Sequence, residues 1–93
     1  MNNYEVLYIV DNAIDDAAKD AVIAKFEGVV TSSGGTVEKS DRWGAKKLAY
    51  PIDYKTDGYY VLMTFASDSQ LPKELERQMR ISDEIIRYLV VRK

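Results

Sequence analysis

Four runs rich in β-branched and aromatic residues are separated, twice, by stretches whose apolar residues recur every three or four positions. That alternation of periods constrains the fold more than any other feature of the chain. Residues 4–10, from Tyr4 to Val10, end at Asp11-Asn12 and read as a strand, because seven residues are too few for an isolated helix. From about Ile14 the period changes. Ala18, Val22, Ile23, Phe26, Val29 and Val30 fall on one side of a helix, with Asp15, Asp16, Lys19, Asp20 and Glu27 mostly elsewhere on the wheel. Asp11 or Asn12 is expected to cap this helix, and Gly34-Gly35 to stop it. Residues 36–52 read as a long, partly irregular strand, with Gly44 marking a bulge and Pro51 suited to an edge strand or a strand end. Lys55-Thr56-Asp57-Gly58 reads as a turn into the clearest strand, 59–65, which makes 36–65 a hairpin. Ser67-Asp68-Ser69 opens a second helix that tolerates Pro72 in its first turn and buries Leu71, Leu75 and Met79. Residues 85–91 form a last strand.

The order is β-α-β-β-α-β. It predicts an α+β, ferredoxin-like fold, one four-stranded antiparallel sheet with both helices on one face. With 93 residues, 1–93 is expected to be a single domain. Several classes of chemistry are disfavoured. Without Cys or His there are no disulfides, thiolate nucleophiles or cysteine zinc sites, and the usual general base is missing. Ser32-Ser33-Gly34-Gly35-Thr36 follows a helix and lacks the Gly-Lys-Ser/Thr ending of a phosphate loop. Asp15-Asp16 and Asp83-Glu84 are carboxylate pairs without EF-hand spacing and read as helix-start acids. Acylphosphatases share this element order but bind phosphate with an Arg after the first strand, where this chain has Asp11-Asn12-Ala13. No catalytic residue, metal ligand or cofactor is expected, and the chain is read as a non-enzyme. The lack of Cys, the lack of an apolar run long enough to span a bilayer, and a start of Met1-Asn2-Asn3-Tyr4 without signal-peptide features point to the cytoplasm.

Function is legible on the side of the sheet that the helices leave open. Alternation assigns Tyr4, Val6, Tyr8, Val10, Tyr59, Val61, Met63, Phe65, Ile86, Tyr88 and Val90 to the core. Leu7, Ile9, Tyr60, Leu62, Leu89 and Val91 then face away from it. In this topology the first and third strands are central and the last flanks the first, so these six cluster. Burying about 400 Å² of such a patch would contribute on the order of 10 kcal/mol before the costs of association. A largely aliphatic surface suits a protein better than stacked nucleobases. Trp43, at the presumed bulge, is expected to pack on a neighbour or on that partner.

Charge points the same way. The chain has 13 Lys and Arg against 15 Asp and Glu, a net −2 that is unlike a free-standing nucleic-acid binder. Residues 1–30 carry a net −4 and residues 31–93 a net +2, with bases at Arg42, Lys46, Lys47 and Lys55 and again at Arg77, Arg80, Arg87, Arg92 and Lys93. Tyr50, Tyr54, Tyr59 and Tyr60 interleave with Lys46, Lys47 and Lys55. Such a mixture suits RNA contact, and equally an edge strand protected by lysine.

Tyr4-Glu5, the block Trp43-Gly44-Ala45-Lys46-Lys47-Leu48-Ala49-Tyr50-Pro51-Ile52, the run Gly58-Tyr59-Tyr60-Val61-Leu62, and Glu74-Leu75 through Arg80 to Ile85-Ile86-Arg87-Tyr88 closely resemble the bacterial small-subunit ribosomal protein S6 family. The resemblance covers nearly the whole chain. It implies a structural ribosomal protein of the cytoplasm that pairs with ribosomal protein S18, a small basic protein. The pair would bind the central domain of small-subunit ribosomal RNA as the platform assembles. By position, the partner surface would comprise Leu7, Ile9, Tyr60, Leu62, Leu89 and Val91, and RNA contact would fall near Asn2, Tyr4, Arg80, Arg87 and Arg92. Many relatives continue into a charged tail, whereas this sequence ends at Lys93. The alternatives are an autonomous RNA-recognition-type binder and a small-molecule regulatory domain.

Overall fold

The structure, a computed structural model, describes residues 2–52 and 55–93, with the side chains of 49–56 outside the description. The elements are β1 (Asn2–Asp11), α1 (Asp16–Ser32), β2 (Thr36–Ile52), β3 (Lys55–Ser67), α2 (Leu71–Ile81) and β4 (Ile85–Arg92). The strands form one antiparallel sheet in the order β2-β3-β1-β4, with β1 and β3 central. Pro51 therefore sits on an edge strand, the place in a sheet where a missing donor is best tolerated.

Both helices pack on the same side of this sheet. Val22, Ile23, Phe26 and Val30 of α1 and Leu71, Leu75 and Met79 of α2 meet Tyr4, Val6, Tyr8, Val10, Val61, Met63 and Phe65 in one buried cluster. Tyr4 stacks on Phe65, and Tyr8 meets Phe26 edge to face. The alternation read from the sequence holds along β1 and β3.

The start of α1 departs from expectation, whereas α2 opens at Asp68 with Pro72 in its first turn as expected. Asp15, not Asp11 or Asn12, caps α1, its Oδ1 accepting from the Ala18 N–H at 2.7 Å. Asp11 Oδ1 instead accepts from the Ala13 N–H and folds the β1–α1 loop into an Asx turn. Asn12 accepts from Lys19 Nζ at 2.9 Å and donates to Asp57 Oδ2 at 2.9 Å. Lys19 is consequently buried, which its place on the helical wheel did not suggest. Asp68 organises α2, its carboxylate accepting from the N–H groups of Gln70 and Leu71. Gly34 ends α1 at φ 85°, a conformation that L side chains avoid, and the Gly35 N–H closes back on the Val30 carbonyl. Asp83-Glu84 lies in the turn before β4, not at a helix start, and Ser82 Oγ donates to Glu84.

Two further differences affect the open face. Lys55 to Gly58 is not a turn but the start of β3, with Gly58 opposite Lys46 and Asp57 opposite Lys47. The hairpin is thus longer than its turn-like composition implied. A bulge in β4 also breaks the assumed alternation. Ile85 pairs with Val10 and Arg87 with Ile9, leaving Ile86 as the extra residue. Ile85, rather than Ile86, packs on the core beside Tyr88 and Val90. Ile86 turns to the opposite side.

Candidate interaction surface of the sheet

Antiparallel partners share a face, so the register builds the helix-free surface row by row. From β4 to β2 the rows read Val91–Glu5–Thr64–Lys39, then Leu89–Leu7–Leu62–Asp41, then Arg87–Ile9–Tyr60–Gly44. The middle row is apolar across three adjacent strands. Leu89 is 61% exposed and Val91 43%, while Leu7, Leu62 and Tyr60 are half-buried by their neighbours. Leu7, Ile9, Tyr88, Leu89 and Arg87 line a shallow hollow of about 220 Å³ between β1 and β4. An aliphatic centre with aromatic and arginine residues near its edge is the usual anatomy of a protein interface.

Ile9 is on the expected face but only 7% exposed. It lies over Gly58, so close that a Cβ at Gly58 would collide with Ile9 Cγ2. The same point is 3.6 Å from Leu48 Cδ2 and 3.7 Å from Ile86 Cδ1. Ile9, Leu48 and Ile86 thus close a small second core on the open side, and little of Ile9 is left for a partner. Sequence reading missed Leu48 and Ile86 because only the bulge and the strand pairing turn them toward Ile9.

Trp43 occupies the bulge of β2, next to Gly44 at φ 87°. The bulge is the device that brings the indole onto the open face, where it stacks on Tyr60 with ring centres 6.5 Å apart and planes at 6°. Lys46 Nζ lies 5.4 Å from the centre of the Trp43 ring. The indole remains 46% exposed. At the β2 edge Lys39 and Asp41 form an ion pair of 3.2 Å.

The residues expected at RNA do not form one site. Asn2, Tyr4 and Arg92 come together at one end of the sheet, on its helix side. Arg92 Nη2 donates to Asn2 Oδ1 at 3.0 Å, and Asn2 Nδ2 to the Tyr4 hydroxyl at 3.4 Å. The Tyr4 ring itself is in the core. Arg87 is exposed on the open face, Lys46 and Lys47 lie on the β2 edge, and Arg80 is exposed in the last turn of α2. Tyr50, Tyr54 and Lys55 of the basic–aromatic mixture lie outside the described side chains, and Tyr59 packs against the core beneath Lys19. Two other bases are held internally: Arg42 by Asp20 of α1, and Arg77 by both oxygens of Glu74, at 2.9 and 2.6 Å. The Arg77 guanidinium, with help from Gln78, holds the Glu74 carboxyl down at about 2.

No helix is long and apolar enough to cross a membrane, and among the described residues no group of three or more acidic side chains gathers to hold a metal. The family model described as ribosomal protein S6 matches residues 3–92. The small ribosomal subunit protein bS6 of Clostridium acetobutylicum is 50% identical over 91 residues, covering 98% of this chain and 96% of that protein. Its counterpart in Clostridium novyi is 48% identical over the same length. The crystal structure of 30S ribosomal protein S6 from Thermotoga maritima superposes with a TM-score of 0.94 at 27% identity, covering 99% of this chain and 87% of that one. These are structural ribosomal proteins, not enzymes. On sequence and on fold alike, the chain belongs to the ribosomal protein S6 family of the small ribosomal subunit.

Proposed function

We propose that the chain is a structural component of the small ribosomal subunit that pairs with ribosomal protein S18 through the helix-free face of its sheet. As a pair the two proteins bind the central domain of small-subunit ribosomal RNA in the cytoplasm. The observation that carries this reading is the apolar row Leu89–Leu7–Leu62, flanked by exposed Val91 and Trp43. Water is a poor neighbour for such a surface, and covering it is favourable. A net charge of −2, with Arg42 and Arg77 held by carboxylates of the chain itself, weakens attraction to phosphate, and a basic partner would add the positive charge.

An autonomous RNA binder of the RNA-recognition type needs free aromatic faces on the sheet. Here the Trp43 ring is stacked on Tyr60 and approached by Lys46, so stacking surface is scarce. The test is titration of central-domain RNA with the chain alone, with S18 alone, and with both at physiological salt. Tight binding by the mixture alone is expected. Equally tight binding by the chain alone would overturn the paired reading.

A further inference from the structure

Glu5 stands on the central strand β1, on the open face, between Val91 of β4 and Thr64 of β3. It adjoins the apolar row and is half-buried. Among the described residues no cation pairs with it, and Lys39, the base at the end of its row, is engaged by Asp41. In the free protein this carboxylate is partly exposed and open to solvent. Once an apolar surface covers Leu7, Leu62 and Leu89, that solvent is displaced and an uncompensated charge remains next to the interface centre.

We propose that Glu5 is the specificity-determining residue of this face and selects a partner that presents an arginine between flanking apolar side chains. The inference rests on the proposal that a basic protein covers the open face, and it names the chemistry that this protein must carry there. Guanidinium fits better than ammonium. It is more weakly hydrated, so it loses less on burial, and its planar fork engages both carboxylate oxygens. Flanking apolar groups seat on Leu89 and Leu7 and fill the hollow between β1 and β4. A partner with an acidic or neutral group at that point is rejected by repulsion or by the unpaired charge.

The experiment compares binding of purified S18 by the wild-type chain, Glu5→Gln and Leu62→Asp, with thermal melts of all three. Each arginine of S18 is also replaced in turn for double-mutant cycles against Glu5→Gln. Glu5→Gln is expected to melt like wild type and to bind at least about 30-fold more weakly, chiefly through faster dissociation. One S18 arginine is expected to show non-additive coupling with it. Wild-type affinity for Glu5→Gln, or additivity with every arginine, would overturn the pairing while leaving the covered face intact, provided Leu62→Asp fails to bind. Undiminished binding by Leu62→Asp would overturn the covered face and the pairing together.

Discussion

Ile9 of β1 lies across the bare backbone of Gly58 in β3, and the absence of a side chain at Gly58 is what allows the open side of the sheet to close there. Ile9 is β-branched and stiff, so it cannot swing aside to admit a methyl group. Gly58→Ala is therefore expected to destabilise the fold by about 1–3 kcal/mol through overpacking. Ile9→Ala in the same chain should recover part of that loss. Urea denaturation of the two single variants and the double variant measures the coupling, and purely additive losses would place Ile9 and Gly58 apart.

Leu62 is half-buried at the β3 end of the apolar row, beside Leu7 and on the open face rather than in the core. Leu62→Asp is expected to leave the fold intact and to weaken S18 binding by about 100-fold or more, since a charge within a covered apolar row is left without solvent. Circular dichroism and calorimetric titration report the two effects separately. Unfolding of the variant would mean that Leu62 belongs to the core.

Trp43 is the single tryptophan of the chain and is stacked on Tyr60, which makes its emission a local reporter. Docking of a partner over the face is expected to shift that emission to the blue as the indole loses water. Trp43→Ala should weaken docking by about tenfold with little change in stability, in keeping with an aromatic anchor. Lys46→Ala with Lys47→Ala should weaken assembly on RNA only if these lysines meet phosphate. Unchanged assembly in a gel-shift titration would assign them to protection of the β2 edge.

The Arg77–Glu74 pair fixes a pH response. Glu74 is held at about 2 against an ordinary 4.5, first by the Arg77 hydrogen bonds and then by Gln78. A depressed carboxyl contributes stability that is complete above its unfolded value and is lost as pH falls through the folded one. The contribution of Glu74 should thus be constant above about pH 5 and fade between 4.5 and 2. It is a small contribution, because the pair is exposed to solvent. A carbon-detected NMR titration is expected to place the Glu74 midpoint near 2, and Arg77→Ala to return it toward 4.5. A midpoint already near 4.5 in the wild type would show the pair to be unformed in solution.

Element order, the core sides of β1 and β3, the stripe of α2 and the clustering on the open face were all legible in the sequence, because each follows from side-chain period. What escaped it depends on one-residue events. The β4 bulge exchanges Ile85 and Ile86 between faces, and two adjacent isoleucines give no sign of which one turns inward. Gly58 looks like a turn glycine, yet its smallness serves a contact with Ile9, 49 positions away in sequence (58 − 9). Asp11, Asn12 and Asp15 are all competent caps by type, and only the loop path selects Asp15. Lys19 is buried because Asn12 receives its ammonium, a partnership invisible to a helical wheel. Of the RNA residues, Asn2, Tyr4, Arg80, Arg87 and Arg92 came from resemblance and Lys46 and Lys47 from the mixture of bases and aromatics, and the fold distributes them over two faces and an edge instead of one patch.

The most direct test of the covered face is methyl NMR of the labelled chain titrated with unlabelled S18. The methyl groups of Leu7, Leu62, Leu89 and Val91 are expected to shift, while those of Val22, Val30 and Leu75, sealed between helices and sheet, stay in place. Perturbation confined to the helix side, or no perturbation of the four open-face residues at saturating S18, would contradict it.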